Sequence, residues 1–131
     1  MVSIHYRSHG DLIIVPACIE NARVFRQLIM LLDTGCSNTI VRPQIFEALS
    51  VSADQMGKRT TIQTALHKEH GQLFRVTKFE FLNRSFVNQE LDCHELPDNL
   101  EIDGLIGMDI LSKYKFTIDP RKKTISTTGL I

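Results

Sequence analysis

The alternation of apolar and polar residues along the first third of the chain predicts a β-hairpin, a short strand and a short helix. Two runs rich in β-branched and aliphatic residues, about 11–19 and 23–32, flank the polar turn "ENA" and predict the hairpin. The segment "SNTIV" predicts the short strand. The segment "PQIFEAL" then begins with Pro43, a residue favoured in the first turn of a helix, and predicts the helix.

The rest of the chain continues this strand-rich pattern. Residues 59–66 and 71–81 predict a second hairpin around the polar tip "HKEHG", where Gly71 would relieve strain in the turn. The turn "LNRS" leads into a strand at "FVNQEL", and an apolar pair before Gly107 leads into a short helix over 108–113. A final strand pair is expected on either side of "DPRKK". The whole pattern predicts a mostly β fold.

Composition narrows the number of domains and the classes of partner. The chain has 131 residues, 43% of them hydrophobic, so residues 1–131 are interpreted as one domain. Fifteen basic residues balance fifteen acidic ones, which leaves no net field to attract nucleic acid or an anionic membrane. The early apolar run "LIIV" is too short for a signal peptide or a membrane span. We therefore expect a cytoplasmic protein with no nucleic-acid partner and no membrane partner.

The cysteines do not indicate a disulfide framework or a metal site. Three widely spaced cysteines are typical of reduced thiols, and no Cys-x-x-Cys pair occurs. Cys93 and His94, together with His67 and His70, lack the ligand spacing of a structural zinc site. We therefore expect no metal and no cofactor, and a redox or zinc sensor built on Cys36, Cys93 and these histidines is the weakest functional class.

An aspartate interrupts the most apolar stretch of the chain. The run "QLIMLL", residues 27–32, leads directly into Asp33, Thr34 and Gly35. An isolated Asp-Thr-Gly is most often a turn, in which the aspartate accepts backbone hydrogen bonds. Here, however, an apolar strand precedes it and "TIV" resumes a strand after it, and a carboxylate next to a buried strand is costly unless it is paired or functional. We interpret Asp33 as a candidate catalytic residue.

Two motifs together carry a resemblance to a known family. The segment "LLDTGCSNTIV" and the downstream segment "DGLIGMDILSKYKFTID" resemble the two landmarks of the retropepsin-like aspartic proteases. The likeness covers about residues 11–127. It implies the acid-protease fold, a closed β-barrel with one or two short helices. It also implies a homodimer, because this chain carries a single Asp-Thr-Gly and such an active site takes one aspartate from each subunit.

The resemblance also implies roles for individual residues. The catalytic set would be Asp33, Thr34 and Gly35, with Asp33 and its symmetry mate as the catalytic pair. The hairpin over 62–76 would be the flap that closes over the substrate. The residues expected to contact the substrate are Ser37, Ala65, Leu66, His67, Leu105 and Ile106.

The sequence departs from the family pattern at two places. The expected flap tip contains a single glycine, and Met108-Asp109 stands where retroviral members commonly have an arginine. Asp103 and Asp109 are interpreted as caps of a turn and of a helix start. Two functions follow: an aspartic endopeptidase acting on peptide or protein substrates, or a non-catalytic dimeric peptide-binding module with the same fold. Both chain ends have strand-like alternation, so either terminus is a candidate for a sheet shared between subunits.

Overall fold

The computed structural model describes residues 2–63 and 68–130, with the side chains at 63 and 128–130 excepted. Its strands are β1 Val2–His5, β2 Arg7–His9, β3 Leu12–Asn21, β4 Val24–Leu32, β5 Ile40–Val41, β6 Met56–Gln63, β7 Lys68–Phe81, β8 Arg84–Cys93, β9 Gly104–Ile106, β10 Tyr114–Asp119 and β11 Thr124–Leu130. Its helices are α1 Pro43–Ala48 and α2 Met108–Leu111, and two 3₁₀ turns lie at Ala53–Gln55 and Asp98–Leu100.

Six of the strands close into a barrel. The large sheet has the order β2-β3-β4-β9-β5-β8-β7-β6, and an additional pairing of β3 with β7 joins the two sides. Strand β7 is long enough to do this because its first half pairs with β6 and its second half pairs with β8 and β3. A closed barrel leaves no unpaired edges among its strands. The prediction of a mostly β fold with a closed barrel and two short helices is confirmed.

The barrel interior holds the main hydrophobic core. Fully buried side chains from several strands meet there, including Ile19, Leu28, Met30, Phe79, Leu91 and Ile106. Helix α1 adds Ile45 and Phe46, and the ring of Phe46 lies 5.3 Å from that of Phe74. Burying each such side chain contributes about 1.5–3 kcal/mol. The core is therefore built from residues far apart in the chain.

The two ends of the chain lie in a separate three-stranded sheet. Its order is β1-β11-β10, with β1 antiparallel to β11 from Val2 opposite Thr127 to His5 opposite Thr124. The strand-like alternation of both ends is thus confirmed. Within one chain the two termini pair with each other, and the outer strands of this sheet are β1 and β10.

The second hairpin was correctly predicted, but its tip was not. Strand β7 begins at Lys68, so "KEHG" belongs to a strand and Gly71 pairs with Thr60. Gly71 has no positive φ and does not relieve a turn. It is a glycine because a Cβ there would lie 2.4 Å from Asp92 Oδ1. The turn at "LNRS" is confirmed, with Leu82 and Asn83 both at positive φ as a tight hairpin turn requires.

Candidate active site

Asp33 directly follows the last residue of a central barrel strand. Strand β4 lies between β3 and β9, and its last residues, Met30 to Leu32, are buried. Leu32 pairs with Ile106 in the parallel strand β9, and the backbone N–H of Asp33 then donates to the carbonyl of Ile106 over 2.9 Å. The strand pairing therefore extends as far as Asp33, which fixes its backbone and leaves its side chain half-buried at the barrel end.

The Asp33 carboxylate accepts a hydrogen bond from its own loop. The backbone N–H of Gly35 donates to Oδ1 over 2.9 Å, and the N–H of Cys36 donates to the Asp33 carbonyl over 3.3 Å. Within residues 2–63 and 68–130, no other group donates a hydrogen bond to this carboxylate. Thr34, Gly35 and Ser37 are exposed beside it. The group is positioned by the loop yet accessible, as a general base or acid must be.

The start of helix α2 is hydrogen-bonded to the loop that follows Asp33. Helix α2 begins just after Gly107, and the N–H groups of Met108 and Asp109 donate to the carbonyls of Cys36 and Ser37 over 2.8 and 3.0 Å. The Asp33 loop, residues 33–39 between β4 and β5, is therefore bonded along its backbone to the start of α2. These bonds use helix N–H groups that have no partner within the helix itself.

The buried hydroxyl of Thr39 joins the same two segments. It accepts from the N–H of Gly107 over 3.1 Å and donates to Oδ1 of Asp109 over 2.7 Å. Asp109 Oδ1 also accepts from the N–H of Ile110, so Asp109 lies in the first turn of α2 and bonds to a helix N–H, although the N-cap residue itself is Gly107, which has no side chain to cap the helix. Burial raises the pKa of Asp109, and the hydrogen bonds from Thr39 oppose that rise.

Asp103 is also a structural carboxylate. Its Oδ2 accepts from the N–H of Ile29 over 2.8 Å, and its own N–H donates to the Ile29 carbonyl over 2.7 Å. The residue thereby holds the chain against β4 immediately before β9 begins. Asp103 and Asp109 both serve the scaffold around Asp33.

Cys36 is a buried member of the loop that follows Asp33. Its Sγ lies 3.0 Å from the carbonyl oxygen of Asn38, and burial raises the pKa of its thiol. A raised pKa keeps the thiol protonated and weakly reactive at neutral pH. Cys36 forms a small apolar cluster with Ile40 and with Ile62 of the second hairpin. The hairpin thus reaches the loop that follows Asp33.

The structure brings together some of the predicted site residues and separates others. Asp33, Thr34, Gly35 and Ser37 lie together at the open end of β4, and half-buried Leu105 packs against the Cys36 cluster. The Ile106 side chain is fully buried in the main core, so its observed contribution to the site is the carbonyl that accepts from Asp33. Ala65, Leu66 and His67 lie outside the described residues.

Sequence reasoning missed a polar group that links these parts. Asp92 in β8 is fully buried, its Oδ2 accepts from the Asn38 side-chain amide over 3.0 Å, and its Oδ1 accepts from the Thr60 hydroxyl. The only sequence signal is a lone acidic residue between Leu91 and Cys93. That signal does not say whether Asp92 faces inward, because its burial depends on strand pairing.

Surface cavities of about 180, 250 and 360 Å³ lie elsewhere among the described residues, and neither Asp33 nor its loop lines any of these three. Among residues 2–63 and 68–130 there is also no cluster of three or more His, Cys, Asp or Glu side chains that could hold a metal ion. None of the helices in this part of the chain is long and apolar enough to cross a membrane.

Comparison with known proteins decides the family. A family model described as aspartyl protease matches residues 15–110, well over half of the chain. The chain belongs to the aspartyl protease family. The aspartyl protease match begins in β3 and ends in α2, so it contains both Asp33 and the buried Gly107 loop. No curated protein matches the sequence significantly.

Solved structures show the same fold for this aspartyl protease family member. A retropepsin-like aspartic protease from Rickettsia conorii is similar with a TM-score of 0.67 and 21% identity, covering 95% of this chain and 89% of the other. The retroviral protease-like domain of Ddi1 from Leishmania major is similar with a TM-score of 0.56 and 16% identity, covering 93% and 92%. The resemblance to retropepsin-like proteases inferred from two motifs is confirmed.

Proposed function

We propose that this family member is an aspartic endopeptidase that hydrolyses extended polypeptides, with Asp33 and the Asp33 of a second copy as its catalytic pair. The observation that carries the proposal is the placement of Asp33. It is a half-exposed carboxylate, fixed by backbone bonds at the end of a buried strand and flanked by exposed Thr34 and Gly35. The structural carboxylate of Asp103, by contrast, accepts from Ile29 in the neighbouring strand β4 and so ties two distant segments together, whereas Asp33 accepts from its own loop.

Two carboxyl groups are needed because the reaction moves protons at two places. One carboxylate removes a proton from water, and the water oxygen attacks the peptide carbonyl carbon while the other carboxyl group gives its proton to the carbonyl oxygen. A proton is then delivered to the departing amine as the carbon–nitrogen bond breaks. Two carboxyl groups close together share one proton and so supply the base and the acid at once, as in aspartic proteases generally.

A second copy of the chain is the proposed source of the second carboxyl group. The sequence has a single Asp-Thr-Gly, and the Asp33 loop is exposed at one end of the barrel. A two-fold axis beside Asp33 would place identical loops against each other. In this arrangement the exposed Thr34 hydroxyl bonds to the backbone of the opposite subunit, and Gly35 lets the two loops approach closely.

The second hairpin is the proposed flap. Ile62 from β6 packs against Cys36 and Ile40, next to half-buried Leu105. This apolar contact between the hairpin and the Asp33 loop is buried except at Leu105, which keeps part of its surface exposed. A peptide lying along this exposed part in an extended conformation would present alternate side chains to it. We therefore expect cleavage between apolar residues.

Peptide-library profiling of the purified protein from mildly acidic to neutral pH tests the proposal. Wild type is expected to cut between apolar side chains, and Asp33→Asn is expected to cut none of the same bonds because it cannot form the proton-sharing pair. Asp54→Asn is the matched control, since Asp54 is exposed and lies next to Gln55, which bonds to Asn21 at the opposite end of the β3–β4 hairpin from Asp33. Cleavage that persists in Asp33→Asn would contradict the proposal.

A mixing experiment tests the shared site. Equal amounts of wild type and Asp33→Asn, dissociated and reassembled together, are expected to lower the activity of the wild-type chains to about half, because half of them then pair with an inactive partner. Unchanged activity would show that each chain has a complete site. If folded, dimeric wild type binds peptides but cleaves none, the protein is instead a non-catalytic dimeric peptide-binding module.

A further inference from the structure

Among the residues that the structure describes, the buried carboxylate of Asp92 has no cationic partner. Asp92 has no exposed surface. Within the described residues, its carboxylate accepts hydrogen bonds from the neutral side chains of Asn38 and Thr60. No ion pair to Asp92 occurs in the same part of the chain. A buried carboxylate costs free energy, and an apolar side chain would suit a barrel wall better. The role of Asp92 should therefore be found in what its two oxygens connect.

The two partners of Asp92 lie on segments that no strand pairing joins. Asn38 belongs to the loop between Asp33 and β5, whereas Thr60 belongs to β6, which pairs only with β7. Asp92 itself is anchored in the barrel, because its N–H donates to the carbonyl of Thr39 over 2.9 Å and its strand pairs with β5 and β7. One fixed carboxylate thus bonds to both the candidate catalytic loop and the hairpin.

Gly71 makes this connection possible. It pairs with Thr60 on one side, and it lies diagonally across from Asp92 on the other. A Cβ at Gly71 would lie 2.4 Å from Asp92 Oδ1 and 2.8 Å from Thr60 Oγ1. Because Gly71 has no side chain, the Thr60 hydroxyl on β6 can reach the Asp92 carboxylate on β8 across β7. The strand sequence is adapted to this contact.

We propose that Asp92 is a positioning residue that holds the β6–β7 hairpin at a set distance from the Asp33 loop and thereby sets substrate affinity. This inference rests on the proposed protease function. Without the link to Thr60, the hairpin occupies its binding position for only a fraction of the time, and apparent affinity falls by that fraction. Hydrolysis of correctly bound peptide is unchanged, because Asp92 touches neither Asp33 nor the substrate.

Steady-state kinetics on Thr60→Val test the proposal, since valine keeps the shape and removes only the hydroxyl. We expect KM for a cleaved library peptide to rise about tenfold, the size of one hydrogen bond to a charged group, with kcat within about twofold. Thr61→Val is the matched control because Thr61 is exposed on the opposite face of β6, and its KM should equal that of wild type. A fall in kcat at constant KM would overturn the proposal, because it indicates general loss of folded enzyme.

Substitution of Asp92 itself gives a second arm. Asp92→Asn keeps an acceptor for Asn38 and offers its own amide to the Thr60 oxygen, so KM should stay within about threefold of wild type. Asp92→Leu removes both bonds and should raise KM at least as much as Thr60→Val. Equal KM values for Asp92→Leu and wild type would overturn the proposal.

Hydrogen–deuterium exchange separates this inference from the proposed function, because it requires no catalysis. In an Asp33→Asn background, Thr60→Val should speed exchange of the backbone amides in 56–63 and 68–74 several-fold, while Thr61→Val should not. Unchanged exchange in Thr60→Val would overturn the positioning role whether or not the protein cleaves peptides. Faster exchange in a protein that cleaves nothing would support the link while the protease proposal fails.

Discussion

Two strand ends lie side by side in the barrel and have opposite surroundings. Strand β4 ends at Leu32, just before Asp33, and strand β9 ends at Ile106, just before Gly107; the two strands are parallel, with Leu32 opposite Ile106. The loop after β4 exposes Thr34 and Gly35, whereas Gly107 after β9 is buried. The buried segment at Gly107 and the start of α2 holds the exposed Asp33 loop in place through backbone hydrogen bonds. The Asp33 loop is therefore accessible, and the neighbouring segment provides the packing that stabilises it.

The glycines of the two loops show the same contrast. A Cβ added at Gly35 would meet only Asp33 Oδ1, at 3.3 Å. A Cβ added at Gly107 would lie 2.7 Å from the carbonyl oxygens of both Cys36 and Asn38. Backbone carbonyls cannot move aside as a side chain can, because they are held by the surrounding hydrogen bonds. Gly107 is therefore required by packing, and Gly35 is not.

Gly107→Ala should have the largest effect on stability. The added methyl would push the Asp33 loop away from α2, and we expect the free energy of unfolding to fall by about 3 kcal/mol, at the upper end of overpacking costs. Urea unfolding followed by circular dichroism measures it. Gly35→Ala is the matched control, with an expected loss below about 1 kcal/mol; similar losses in the two variants would remove the distinction between the loops.

Thr39→Val should rank second. The change keeps the shape and removes the hydroxyl that bonds to Gly107 and Asp109, which leaves the buried N–H of Gly107 without its partner. We expect a loss of about 2 kcal/mol in the same unfolding experiment. Ser37→Ala removes an exposed hydroxyl from the same loop and should cost less than about 0.5 kcal/mol. A cost for Thr39→Val as small as that of Ser37→Ala would mean that the bridge contributes nothing.

Asp33→Asn should change stability least among the substitutions made at neutral pH. The amide oxygen still accepts from Gly35, and the side chain is half-exposed, so the free energy of unfolding should stay within about 0.5 kcal/mol of wild type. Thermal and urea unfolding of the inactive variant check this. A large loss would show that Asp33 is itself a structural residue and would weaken its assignment to catalysis.

Asp109→Asn should produce a small effect that depends on pH. Burial raises the pKa of Asp109 above its ordinary value of 3.8, so the folded state binds the proton more tightly than the unfolded chain. The free energy of unfolding of wild type therefore falls as pH rises from the unfolded pKa through the raised folded pKa. Asparagine keeps the bonds to Oδ1 and lacks the ionisation.

The stability of Asp109→Asn relative to wild type should therefore increase from acidic to neutral pH, by less than the cost of Thr39→Val. Unfolding measured across this range checks the slope, and Asp11→Asn serves as the exposed control. A relative stability that falls with rising pH would show that ionised Asp109 is stabilised by the fold.

Much of the fold and part of the site were predictable from local sequence. The first hairpin, the helix beginning at Pro43, the final strand pair and the Asp33 loop all follow from apolar runs and turn residues. The tip of the second hairpin was wrong because Gly71 was interpreted as a turn residue. Its real constraint is the Asp92 carboxylate, which lies 21 positions away on the adjacent strand β8.

The sequence by itself determined which segments form the main strands and helices and that a carboxylate directly follows an apolar strand, since these depend on neighbours a few residues apart. Only the tertiary structure decided which polar groups meet. Asn38 and Asp92 are 54 positions apart, and Thr60 and Asp92 are 32 apart. Their contact depends on the register of β6, β7 and β8, and a shift of one residue in that pairing would turn Asp92 to the opposite face.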